Sequence, residues 1–281
     1  MSNARPKVLR VSTRNAAFQQ WQAQLTNRTK RHQTGRFLVQ GVRPITMALR
    51  YGWGIDALLY RAGPLSDWAK TVLREASTAT RYELAPELIG ELGEKDEQPP
   101  ELLAVAMMPP DDLARIPVPA RALLVVMDRP GSPGNLGTVI RSADALGAHG
   151  LVIAGHATDL YDPRTIRATT GSLFAVPAVR VAGADAVLQW VASVRASGVP
   201  LTVVGTAEHA TDELADVDLT GPTLLVVGNE TRGMSAGWEA HCDLLVRIPM
   251  TGSASSLNAA VSGSIALYEA MCQRRTVQQG R

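Results

Sequence analysis

Cysteine is scarce in this chain: Cys242 and Cys272 are the two present, thirty positions apart. They form no CxxC pair and no histidine stands at metal-ligand spacing, so neither a disulfide framework nor a metal site is indicated. Both read as reduced core or surface thiols. No run of about 18 apolar residues exists to span a bilayer, and Met1 to Lys7 leads into no apolar secretion signal. The expectation is a cytoplasmic protein with no membrane partner. Lysine is also rare, with four (7, 30, 70 and 95) among 28 basic residues and 24 arginines. Planar guanidinium forks suit bidentate phosphate contacts, although a GC-rich genome would also enrich arginine. Acids are missing before Asp56, while residues 1–50 carry ten bases. A net charge of only +2 therefore conceals a basic start fit for a polyanion.

A chain of 281 residues, 46% apolar, can bury one large core or two smaller ones, and two domains is the better expectation. The proline-rich strip Pro109 to Pro119 cannot lie inside a helix or strand and marks the boundary. This places domains at 1–110 and 121–281, with 111–120 as linker. After the boundary, strand candidates (123–127, 151–154, 176–181, 201–205, 224–228, 244–248) alternate with helical stretches near 138–146, 164–170, 185–197, 235–241 and 257–273. That order predicts an α/β domain with a largely parallel sheet. Before it, strands near 37–39, 57–60 and 103–106 and helices near 44–51, 65–76 and 86–92 predict a smaller α/β or α+β module.

The most informative segment runs from Asp128 to Arg141. A buried-strand run, Leu123 to Met127, enters a turn with glycines at 131, 134 and 137, and a helix follows whose first turn is expected to carry Arg141. Val139, Ile140, Ala143 and Leu146 form its apolar face and Gly147 its stop, which turns Arg141 outward toward a ligand. A dinucleotide site is disfavoured, because the glycines run G-x-x-G-x-x-G. In addition, Pro130 and Pro133 remove phosphate-binding N–H groups, and no acid ends the second strand to hold a ribose. Glycines at 228, 233 and 252 would let backbone approach a flat nucleoside, but taken alone they read better as ordinary turns.

Three segments together resemble one family. Gly134-Asn135-Leu136-Gly137-Thr138-Val139-Ile140-Arg141 is similar to motif 1 of the SpoU/TrmH branch of the SPOUT RNA 2′-O-ribose methyltransferases. Leu225 to Met234, with Gly228-Asn229-Glu230, resembles motif 2. Ile248-Pro249-Met250 with Ser255 to Ser262 resembles motif 3. Arg167 to Phe174 adds a match between the first two. Lys30-Arg31 and Gly35 to Arg43 resemble the ribosomal-protein-like RNA-binding domain that precedes the catalytic domain in many members, with Gln40 in place of the usual glutamate.

The resemblance implies a trefoil-knotted α/β catalytic domain that holds S-adenosylmethionine and works as a homodimer with its active site at the interface. Such knots are exceptions to ordinary topology. By the same resemblance, Thr206, Gly228, Ile248, Met250 and Leu257 line the cofactor site. Arg141, Asn135, Glu230, Ser256 and Asn258 form the catalytic set, and Arg28, Lys30, Arg31, Arg36 and Arg43 meet RNA. No metal is implied. Asn135 could instead serve a turn and Ser256 could cap the last helix. His149, His156, His209 and His241 match no catalytic position. The family places an arginine such as Arg141 beside the target ribose and its phosphate. A guanidinium has a pKa above about 12, so a clamping and charge-stabilising role fits it better than a base, and the proton acceptor stays open. The N-terminal module favours 23S rRNA over tRNA as substrate. The Arg- and Ala-rich composition resembles actinomycete enzymes of the antibiotic-resistance type, against thiostrepton or avilamycin. The alternatives are a tRNA methyltransferase, a catalytically silent RNA-binding relative, and a nucleotide-dependent oxidoreductase.

Overall fold

The computed structural model describes residues 8–93 and 99–279, so Arg5, Lys7 and Lys95 lie outside the described residues. In chain order the elements are β1 (Val8–Val11), α1 (Ala16–Thr26), α2 (Arg28–Thr34), β2 (Arg36–Gln40), α3 (Val42–Arg50), β3 (Ile55–Arg61), α4 (Asp67–Glu75), β4 (Thr80–Leu84), α5 (Pro86–Gly93) and β5 (Leu102–Met107). They continue as β6 (Leu123–Asp128), α6 (Pro133–Ala145), β7 (Gly150–Ala154), α7 (Pro163–Thr169), β8 (Ala178–Val181), α8 (Ala184–Ala196), β9 (Thr202–Thr206), β10 (Asp212–Glu213), β11 (Thr223–Val227), α9 (Ala236–Glu239), β12 (Leu244–Arg247) and α10 (Ala259–Gln279). Two compact units result, residues 1–109 with 161–175, and 110–160 with 176–281. Tyr161 to Ala175, which the sequence reading kept with the second domain, thus packs in the first unit.

The first unit is built on a five-stranded mixed sheet in the order β1-β4-β3-β5-β2, with β5 antiparallel to both neighbours. Asn15 caps α1 by accepting the Phe18 N–H, and Phe18, Trp21 and Leu25 turn inward at helical spacing onto Leu38, Leu59, Leu88 and Leu103. A second cluster forms around Phe37, whose ring meets Tyr161 at 4.7 Å, Trp53 at 6.1 Å and Phe174 at 6.5 Å. The Trp53 indole N–H donates to the Phe174 carbonyl, satisfying the polar end of a largely apolar side chain.

The second unit carries a seven-stranded, all-parallel sheet in the order β10-β12-β9-β11-β6-β7-β8. Every residue of β6, β7 and β11 is buried, as strands covered on both faces require. One face packs Val187, Val191 and Val194 of α8 and Trp238 of α9 against Leu124, Val126 and Val203. On the other, α10 lies against α6 and β11. Each such fully buried aliphatic side chain contributes about 1.5–3 kcal/mol relative to exposure.

The helix after β6 begins five residues earlier than the spacing predicts. Ser132 caps it, accepting the Asn135 N–H at 3.4 Å, and Pro133 sits at its first position, where the missing N–H costs nothing. Arg141 therefore stands two turns into α6 rather than in its first turn, and the helix dipole exerts little influence on it. The stop is as expected, with Gly147 at φ 76°.

Candidate active site

The carboxyl ends of parallel strands are where open α/β sheets gather ligands, and here Thr206 ends β9, Gly228 follows β11 and Ile248 follows β12. With Met250 and Leu257 of the next loop, all five predicted cofactor residues line one cleft of about 460 Å³. Glu230 and Ser256 line it too. Ile248 and Leu257 are half-buried apolar walls, and Met250 is exposed. Behind them the turn at 228–233 is closed tightly by Asn229 and Gly233, which exchange backbone hydrogen bonds of 2.9 and 3.0 Å. A Cβ on Gly228 would lie 2.4 Å from the Gly233 carbonyl carbon and the Met234 nitrogen, so that position requires glycine. Asn229 completes the turn by accepting from the Thr231 and Arg232 N–H groups.

Three of the predicted catalytic side chains form a hydrogen-bonded line. The Asn258 amide donates to Asn135 Oδ1 at 3.1 Å, and Asn135 Nδ2 donates to Glu230 Oε1 at 2.8 Å. Glu230 Oε2 accepts from the Gly131 N–H at 3.2 Å. Partial desolvation acts to raise the Glu230 pKa, but the Asn135 amide and backbone N–H groups, those of Gly131 and Ser132 among them, outweigh it and hold the carboxyl below its ordinary value. Asn258 also accepts from the N–H groups of Ala260 and Val261, so it, and not Ser256, caps α10. The Asn135 side chain joins two motifs instead of closing a turn. Arg141 is exposed and has neither a hydrogen bond nor an ion pair among the described residues. It shares the exposed face of α6 with Gly134 and Thr138.

Of the predicted RNA contacts, Arg28, Lys30 and Arg43 are exposed, and Arg43 donates to the Thr170 carbonyl. Arg31 is buried and donates to the carbonyls of Gln24 and Leu25, while Arg36 is held by Asp56 and the Thr34 carbonyl. Arg31 is thus committed inside the first unit and Arg36 to a part-exposed ion pair, which the basic run in the sequence could not distinguish from free surface charge. Conversely, Glu208 and His209 line the cleft although no motif singled them out. Their only signal was position just past a strand that ends at Thr206. Other histidines have local partners, His149 accepting from the Leu123 N–H and His241 pairing with the Gly237 carbonyl. Burial, then Asp243 and Glu239, pushes the Cys242 thiol up to about 12, which disfavours the thiolate form.

Residues 122–268 match the SpoU rRNA methylase family, and residues 15–104 match the SpoU L30e-like domain. The chain is 55% identical to the 23S rRNA (uridine(2479)-2′-O)-methyltransferase of Streptomyces viridochromogenes, over 96% of this chain and 94% of that protein. The crystal structure of the SpoU methyltransferase AviRb from the same organism, in complex with the cofactor AdoMet, superposes with a TM-score of 0.87 at 53% identity, covering 93% of this chain and 100% of that one. The AdoMet-bound rRNA methyltransferase from Sinorhizobium meliloti gives 0.84 at 30% identity, with 96% and 98% covered. A parallel-sheet unit in which the second and third motif loops line one cleft and Asn135 of the first bonds to both, preceded by an L30e-like unit, makes this chain a member of the SpoU family of rRNA methylases.

Proposed function

We propose that the cleft binds S-adenosylmethionine and that the protein methylates the 2′-hydroxyl of one ribose, a uridine, in 23S rRNA. The observation that carries this reading is the line Asn258–Asn135–Glu230, whose Glu230 end lines the cleft, with the uncommitted guanidinium of Arg141 on the helix that bears Asn135. The cleft suits the cofactor: its volume falls in the range of nucleoside-sized pockets, with apolar walls at Ile248 and Leu257 and main-chain groups at the strand ends to read a base edge. When bound, S-adenosylmethionine supplies a methyl group on a positively charged sulfur. The chain's residues do the positioning. Arg141 clamps the phosphate of the target nucleotide and stabilises negative charge as it develops on the ribose oxygen. Asn135, fixed from both sides by Glu230 and Asn258, holds that helix face in register with the cleft.

The likeness to the Streptomyces enzyme favours a large-subunit rRNA substrate and the avilamycin-resistance type over tRNA or a catalytically silent role. Arg28, Lys30 and Arg43 supply the exposed positive charge for phosphate contacts. The trefoil knot and the homodimer belong to the same proposal. Support for the dimer is the face of α10 where Val261 is 45% and Tyr268 56% exposed, seven residues apart on the helix packed against α6. A cytoplasmic location follows from that substrate.

The test is methyl transfer from labelled S-adenosylmethionine to bacterial 23S rRNA, mapped by resistance to alkaline cleavage, because a methylated ribose cannot form the cyclic intermediate. Label in one alkali-resistant dinucleotide is expected, reduced about 100-fold or more in Arg141→Ala. The variant should keep its stability within about 0.5 kcal/mol, since an exposed side chain without partners is removed. Label in tRNA alone, or none in any RNA, overturns the reading.

A further inference from the structure

The turn that walls the cleft is gripped from behind by an ion pair that does not itself line it. Asp128, the last residue of β6, is buried, and one of its carboxylate oxygens, Oδ2, accepts from Arg129 Nε at 3.2 Å, Arg129 Nη2 at 3.0 Å and the Ser235 N–H at 2.8 Å. Arg129 Nη2 also donates to the Gly233 carbonyl at 3.1 Å, and the Arg129 carbonyl accepts from the Asn229 side chain at 2.7 Å. The segment 229–235 is thus tied at both ends to two consecutive residues, which lead directly into α6.

The local backbone makes the arginine conspicuous. Arg129 has φ 52°, in the left-handed region where glycine would be relaxed and a side chain is strained. Its stem occupies the space beside Gly155, where a Cβ would come within 2.9 Å of Arg129 Cγ. The guanidinium, reaching Asp128 and Gly233 together, offsets that strain.

We infer that Asp128 and Arg129 are positioning residues for cofactor binding: the pair fixes the 229–235 turn so that the cleft is already shaped for its ligand. This rests on the reading that the cleft takes S-adenosylmethionine. The pair touches no reacting atom, so its effect falls on cofactor affinity and not on the methyl-transfer step.

The experiment compares wild type, Arg129→Gly, Arg129→Lys and Asp128→Asn by calorimetric titration with S-adenosylmethionine, steady-state kinetics on 23S rRNA and thermal unfolding. Arg129→Gly relaxes the backbone but leaves the buried Asp128 carboxylate without its cation, so its Tm should fall by a few degrees while unfolding stays cooperative. Its Kd and KM for S-adenosylmethionine should rise about tenfold, the loss of a charge-assisted hydrogen bond. Its kcat at saturation should stay within about twofold of wild type. Arg129→Lys should recover part of the affinity, because an ammonium reaches one acceptor but not the fork of both. Asp128→Asn should weaken binding in the same sense. An unaltered Kd in Arg129→Gly, or a fall in kcat with KM unchanged, overturns the proposal while leaving the cleft's assignment intact. Failure of wild type to bind S-adenosylmethionine overturns the assignment and the proposal together.

Discussion

At the scale of single residues, Glu230 has the most partners of the proposed catalytic groups, and its protonation state is set by them. Its folded pKa lies below the ordinary 4.5. A depressed acid contributes stability that is present in full above the unfolded value and is lost as pH falls through the folded one. The Asn135–Glu230 link should therefore persist from neutrality down to the ordinary glutamate range and fail only below it. Denaturant unfolding of wild type and Glu230→Gln over that range checks the sign: wild type should lose its advantage over the variant on acidification, and a gap that widens toward low pH contradicts it. Asn135 and Glu230 stood out in the sequence because each belongs to a compact motif. The bonds between them did not, since 95 residues separate the two and only the sheet order places the ends of β6 and β11 side by side. Arg31 shows the converse, because nothing in a run of basic residues tells which one folds inward.

Among the elements, α10 depends on both of its ends. Asn258 caps the start, and near the finish Arg274 donates to the carbonyls of Arg121, Ala122, Leu219 and Gly221. Burial, then the neighbouring Arg121, pushes the Arg274 guanidinium down to about 10, so it remains charged at neutral pH and needs those acceptors. Asn258→Ala should cost about 1 kcal/mol as a lost cap. Arg274→Met should cost about 2–3 kcal/mol through several unmet carbonyls. Urea unfolding of the two variants would rank them, and the reverse order would argue that the cap dominates. Elements with continuous apolar runs, such as β6, β7 and β11, were legible from sequence. Others were not: α1 buries Gln24 along with Phe18, Trp21 and Leu25, and β4, Thr-Arg-Tyr-Glu-Leu, has a single buried residue, Leu84. The early start of α6 was hidden by Pro133, Gly134 and Gly137, which read as turn formers. One of them is a favourable first helical residue, and another is buried against the core.

For the whole molecule, the exposed Val261 and Tyr268 give the expected association a direct test. Tyr268→Glu puts a charge on the proposed contact while leaving the buried face of α10 untouched, so sedimentation should shift from dimer to monomer and methyl transfer should fall with it. A variant that stays dimeric and active would place the interface elsewhere. The discontinuity of the first unit has a different consequence, one of timing. Phe37 is completed by Tyr161 and Phe174, rings that the ribosome adds more than a hundred residues later. During synthesis the amino-terminal sheet must therefore wait, its aromatic face uncovered, until β6, α6 and β7 have already emerged, so the two units mature in overlapping order and not one after the other.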